Sequence, residues 1–129
     1  MRTPTIYIAG PMRGHDNWNF DSFDKQAKSL RQNGWIVINP AELERNLQKK
    51  HGEIHPHEFD PDTNESDQEF LRKALKQDMI EICDKCTAIY MLKGWENSKG
   101  AITEWDLAQA LGLDIFYEVP PVPIIGKSV

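Results

Sequence analysis

Apolar residues along this chain come in short runs separated by stretches of helical period. The first run, Thr5-Ile6-Tyr7-Ile8-Ala9-Gly10, is apolar at successive positions, as expected of a strand buried on both faces, and it stops at Gly10-Pro11. Phe20, Phe23, Ala27 and Leu30 then recur at helical spacing and predict a helix over 19–32, closed by Asn33-Gly34. Trp35-Ile36-Val37-Ile38 reads as a second strand ended by Asn39-Pro40, followed by a short helix over 41–50. Residues 51–66 hold Gly52, two prolines, three histidines and many acids without an apolar period, and so predict a long exposed loop of the kind that often forms a lid. Periodicity returns with Phe70, Leu71, Ala74, Leu75, Met79, Ile80 and Ile82, and Ser66 with Glu69 three residues on matches a capping box. Thr87 to Leu92 reads as a third buried strand, 93–98 as a loop, 100–111 as a helix stopped by Gly112, and 114–117 as a fourth strand.

Strands alternating with helices, without an internal repeat, predict a small doubly wound α/β fold. The expected core is a flavodoxin- or Rossmann-like parallel sheet of four to five strands with flanking helices. All 129 residues are expected in one domain, with a long loop at about 50–66 and a Pro-rich tail from about 119. In such sheets ligands bind outside the carboxyl ends of the strands, which directs attention to the loops after Gly10, Asn39 and Leu92.

Fifteen Lys and Arg against twenty Asp and Glu give a formal net charge of −5, which argues against a nucleic-acid polymer as partner and leaves room for a small ligand in a local pocket. No run approaches the ~20 apolar residues of a membrane span, and Met1-Arg2-Thr3-Pro4 leads into a short apolar run without a secretory core. A cytoplasmic protein with no membrane partner is the expectation. Two cysteines, both in Cys83-Asp84-Lys85-Cys86, are too few for a disulfide scaffold. His51, His55 and His57 with neighbouring acids fit no standard metal spacing, so neither metal nor organic cofactor is expected.

In Gly10-Pro11-Met12-Arg13-Gly14, two glycines permit close backbone approach and Arg13 offers a planar donor fork, which suits a phosphate or carboxylate but also an ordinary turn with a solvated Arg. Trp95-Glu96-Asn97-Ser98-Lys99-Gly100 opens a helix whose free N–H groups suit an anion. Glu104, one turn into that helix, and Asp78, near the end of the preceding one, can face one crevice as a carboxylate pair for work at a glycosidic carbon. Equally, Glu104 reads as an acid at a helix N-terminus and Asp78 as a solvated position. Trp95 is placed to stack on a base or simply to pack.

Taken in order, Tyr7-Ile8-Ala9-Gly10-Pro11-Met12-Arg13-Gly14, Gly34-Trp35 before a strand ending Asn39-Pro40, Asp78 and Asp84 before an apolar strand, and Ser98-Lys99-Gly100-Ala101-Ile102-Thr103-Glu104 resemble the nucleoside 2-deoxyribosyltransferase superfamily. The resemblance spans about 5–116 and is nearest in motif to the 2′-deoxynucleoside 5′-monophosphate N-glycosidases and to uncharacterised phage and bacterial relatives with YIAGPMRG-like openings. It implies that Glu104 attacks the anomeric carbon to give a glycosyl-enzyme, that Asp78 orients it or assists departure of the base, and that Tyr7 lies beside the sugar. Transferases acting on nucleosides place an aspartate six residues before the nucleophile. This chain has Ser98 there, which would join Gly10, Met12, Arg13, Gly14 and Gly100 around a 5′-phosphate rather than repel it.

The expected activity is hydrolysis of a (deoxy)nucleoside 5′-monophosphate to free base and sugar phosphate. The alternatives are base exchange by a deoxyribosyltransferase and a non-catalytic nucleotide sensor. The resemblance also implies a homodimer or higher homo-oligomer, in which a neighbouring subunit completes the site from near the C-terminus; Ser128 stands in that region. The long acidic segment 42–67 and the Pro-rich tail depart from the small nucleotide hydrolases and leave base specificity open.

Overall fold

A computed structural model describes residues 2–121, and Ser128 and most of the Pro-rich tail lie outside them. Four parallel strands, β1 (Thr5–Ala9), β2 (Ile36–Ile38), β3 (Ala88–Met91) and β4 (Asp114–Tyr117), form one sheet in the order β2-β1-β3-β4. Tyr7 of β1 is in register with Ile38 on one side and Ile89 on the other. The helices are α1 (Phe20–Gln32), α2 (Pro40–His51), α3 (Glu65–Lys85) and α4 (Lys99–Leu111). This is the α/β architecture expected from the alternation of strands and helices.

The period of β1 explains the layering. Ile6 and Ile8 point to one face, where Phe23, Ala27 and Leu30 of α1 cover them; Tyr7 and Ala9 point to the other, against Ile82 of α3 and Ala101 and Ala108 of α4. Every residue of β1 is therefore buried, as a central strand covered on both faces requires. The edge strands are less sheltered, so Ile36 is 51% and Phe116 44% exposed.

Two details differ from the sequence expectations. The N-cap of α3 is Asn64, whose side-chain oxygen accepts from the Asp67 N–H at 3.0 Å, and not Ser66. Asn64 already starts the helix two residues earlier; Ser66 falls inside the first turn, where its hydroxyl meets His51 Nε2 at 3.2 Å. The irregular segment between α2 and α3 is thus 52–64, and it does not simply project into solvent. Ile54 and Phe59 pack on the core and Pro61 is buried, because the apolar residues scattered among its charges all turn inward.

The connections after β1 and β3 approach each other closely. A Cβ at Gly10 would lie 2.8 Å from both Cβ and Cδ1 of Leu92, the residue that follows β3, whereas one at Gly100 would meet nothing nearer than Leu75 Cδ2 at 3.9 Å. Gly10→Ala is accordingly expected to cost about 1–3 kcal/mol, since Leu92 Cβ is fixed to the backbone and cannot swing aside. Gly100→Ala should leave stability within about 0.5 kcal/mol, and thermal denaturation of the two variants checks the contrast.

Candidate active site

Strand order reverses between β1, which leads into α1 on one face, and β3, which leads into α4 on the other. A crevice opens there, outside the carboxyl ends of both strands. It is a cavity of about 1010 Å³. Its walls are the loop 10–15, the segment 92–94, the start of α4, and the faces of α2 and α3 turned toward them.

At the floor, Tyr7 reaches from β1 and its hydroxyl donates to Glu104 Oε2 of α4 at 2.6 Å. Tyr7 is fully buried and Glu104 is 5% exposed. Burial, and then the negative charge of Asp78, push the Glu104 carboxyl well above its ordinary range, while the Tyr7 hydrogen bond works in the opposite direction by favouring the ionised form. The Tyr7 phenol is itself raised by burial and by the charges of Asp78 and Glu104, so it stays protonated and acts as a donor. Asp78 projects from α3 into the same group. Burial and the charge of Glu44 push it up to about 8, against the lowering influence of hydrogen bonding with Tyr7 and Glu104. The contact between the two carboxyls lowers Asp78 and raises Glu104, so the pair shares its protons and titrates as one coupled unit.

The predicted anion-facing residues all line the cavity: Gly10, Met12, Arg13 and Gly14 from the first loop, Ser98 and Gly100 from the second. Gly14 has φ +82°, a left-handed conformation that favours glycine. Arg13 is half exposed, with its guanidinium 5.6 Å from the Phe59 ring centre and 4.0 Å from Asp62, so the segment 52–64 reaches over the rim and holds this side chain. Ser98 has a duty that its sequence position only hinted at. It is the N-cap of α4, and its Oγ accepts from the Ala101 N–H at 3.2 Å. Its hydroxyl hydrogen stays available to a ligand, and Lys99 and Gly100 lie in the first turn, where N–H groups have no helical acceptor.

Trp95 is not in this cavity. It stacks on Trp105, with ring centres 5.0 Å apart, and on Tyr117 at 6.1 Å, because the short 3₁₀ turn Trp95–Asn97 directs it onto the α4–β4 side. The aromatic wall instead comes from Trp18, Phe59 and Phe70, with Trp18 and Phe70 each edge-on to Phe59. Trp18 is held by three successive left-handed residues, Asn17 to Asn19, and the Asn19 side chain donates to Pro11 O at 2.9 Å. The histidines of 51–57 are spread along the surface, His57 meeting Asp16 at 2.7 Å, and among the described residues no three potential ligands converge on a metal. Cys83 is exposed, while burial pushes the Cys86 thiol up to about 12, which keeps it protonated and inert as a nucleophile.

Sequence reasoning missed Glu44. It lines the cavity from α2, and burial pushes its carboxyl up to about 7. The available signal was its position, three and four residues after Ala41 and Pro40, the two buried residues of that helix.

A model of the family described as Domain of unknown function (DUF4406) matches residues 4–117. Comparison with curated proteins and with solved structures returns no match.

Glu44 and Asp78 both bind protons more tightly in the folded chain than in the unfolded one. Their contribution is fully favourable below about pH 4 and is lost as pH rises through about 7 for Glu44 and about 8 for Asp78. Thermal stability should therefore fall between pH 5 and 8. Glu44→Gln, which cannot ionise, should gain about 1–3 kcal/mol over the parent at pH 8 and little at pH 5, as melting curves at the two pH values would show.

Proposed function

The chain belongs to the DUF4406 family, and we propose that its site hydrolyses the N-glycosidic bond of a (deoxy)nucleoside 5′-monophosphate. The observation that carries this reading is the buried Tyr7–Glu104 hydrogen bond, with Asp78 beside it, at the floor of a cavity whose rim offers groups suited to a phosphate. The order of motifs resembling the nucleoside 2-deoxyribosyltransferase superfamily supports it independently.

In this mechanism the phosphate sits among Arg13, the Ser98 hydroxyl and the first-turn amides of α4. That anchor puts the anomeric carbon over Glu104. As the bond to the base lengthens, positive charge develops on the sugar ring, and the anionic carboxylate stabilises it without having to reorganise, because Tyr7 already fixes one of its oxygens. Glu104 then forms a bond to the anomeric carbon, and water attacks that carbon to release the sugar phosphate and restore the carboxylate. Asp78, pushed up to about 8, shares a proton with Glu104 and keeps the floor from carrying two charges. A site for binding alone gains nothing from carboxyls buried next to an anionic ligand, which favours turnover over sensing.

Chromatography of free base released from a panel of nucleoside and deoxynucleoside 5′-monophosphates tests the reading. Glu104→Gln should lower turnover by at least about 10³-fold. Arg13→Ala should raise KM for the monophosphate by about 10- to 100-fold, the worth of one charge-assisted contact, while leaving any slow cleavage of the matching nucleoside unchanged. Tight nucleotide binding with no base release would indicate a sensor, and base release only with an added acceptor base a transferase.

A further inference from the structure

Glu44 lies on the wall built by α2 and α3, away from the loop that carries Arg13 and from Lys99 at the start of α4. Phe70, Leu71, Ala74 and Leu75 of α3 give the same wall an apolar stretch. Its Oε2 is sealed from solvent and has no hydrogen-bond partner among the described residues. An unpartnered carboxyl oxygen in such a place is costly, and an apolar side chain would fill the position at less expense. The mechanism above makes no use of it. Asp78, the other protonated acid, is already engaged with Tyr7 and Glu104 on the sugar side.

We infer that Glu44 is the acid that meets the leaving base, its carboxyl O–H donating to a ring nitrogen while the flat base rests against the apolar face of α3. This inference rests on the N-glycosidase reading. The groups facing Glu44 are Gln48, one turn along its own helix, and Asp78 across from it on α3, with Glu81 further along α3 and paired at 2.8 Å with Lys85. No cation among them draws the proton off, and burial keeps the carboxyl neutral up to about pH 7.

As the bond between the anomeric carbon and the base breaks, its electron pair stays on the base. The Glu44 proton passes to a ring nitrogen bearing a lone pair, so that the base departs neutral and Glu44 is left as carboxylate. Glu104 has meanwhile bonded to the anomeric carbon. When water displaces it there, the proton the water sheds restores Glu44. Bases with a basic ring nitrogen, cytosine and the purines, fit this step; uracil and thymine, whose N3 already bears hydrogen, fit it poorly.

The experiment compares single-turnover release of the leaving group from cytidine and 2′-deoxycytidine 5′-monophosphates and from the 4-nitrophenyl glycosides of the same sugar phosphates, whose nitrophenolate leaves without protonation. In Glu44→Gln, release of cytosine should slow by about 10²- to 10³-fold while half-saturation stays within about threefold, and nitrophenolate release should stay within about threefold of the parent. Glu44→Asp, which keeps an acid on the wall, should recover at least about tenfold of the loss and serves in its place if the glutamine variant does not fold. An equal loss on both kinds of substrate would make Glu44 a structural residue, and no loss on the nucleotides would remove it from the chemistry; either overturns the inference while the Glu104-dependent activity of the parent stands. A parent chain inert toward every one of these substrates overturns the N-glycosidase reading and this inference with it.

Discussion

A phenol hydroxyl of the central strand donating to a carboxyl of α4, both shut away from water, is the contact on which the rest of this molecule turns. It joins the sheet to the helix that follows β3, so the layer packing and the chemistry share one bond. Either partner alone would be a liability. A buried Glu104 without Tyr7 would leave a carboxyl oxygen unpaired, and a buried Tyr7 without Glu104 would leave its hydroxyl without an acceptor. Together they fix a carboxyl beside the carboxyl ends of the central strands, where Ile8, Ala9, Met91 and Leu92 are otherwise apolar.

The surrounding structure serves that position. Gly10 lets the loop after β1 lie against Leu92, bringing the two anion-facing loops to the same lip of the crevice. Ser98 caps α4 and thereby sets the pitch of the turn that delivers Glu104. The long segment 52–64 folds back through Phe59 onto Trp18 and Phe70, so that one apolar residue in a charged stretch closes the aromatic side of the cavity and also supports Arg13.

What could be read from the sequence follows from how locally each feature is determined. The two-faced apolar run of β1 and the i, i+3, i+7 spacing of α1 are properties of single segments, and the parallel sheet follows from their alternation. Asp78 and Glu104 could be paired because residues on successive elements of an α/β fold converge at strand ends, and Tyr7 was named by the resemblance of the ordered motifs. The start of α3 was misplaced by two residues because Asn64 and Ser66 are both good caps and only the path of the preceding turn decides between them. The sequence left Trp95 open between stacking on a base and packing for a similar reason. A loop aromatic near a site can turn to either side of its helix, and Trp105 and Tyr117, distant in sequence, supplied the better surface. Glu44 escaped notice because an acid amid Glu42, Arg45 and Asn46 looks like solvated helix surface. Only the docking of α2 against α3 reveals that this particular turn faces inward.

Three buried carboxyls, beside Glu118 at the lip, line a cavity proposed for an anionic ligand and look contradictory there, and the resolution lies in their protonation and placement. Burial raises all three, Glu44 to about 7 and Asp78 to about 8, and each ionisation makes the next harder, so near neutral pH the cluster carries far less charge than its composition implies. The cationic and N–H donors come from the loop 10–15 and the start of α4, with Glu118 held there by the Lys93 N–H, and the buried acids come from α2, α3 and the next turn of α4. On the proposed reading, a ligand with a phosphate at one end and a base at the other would lie along that gradient, with its sugar midway over Glu104 and Asp78. On the same reading, the polarity of the cavity would select an orientation before any single contact selects a substrate, with donors at the phosphate end and buried acids beneath the sugar and the base.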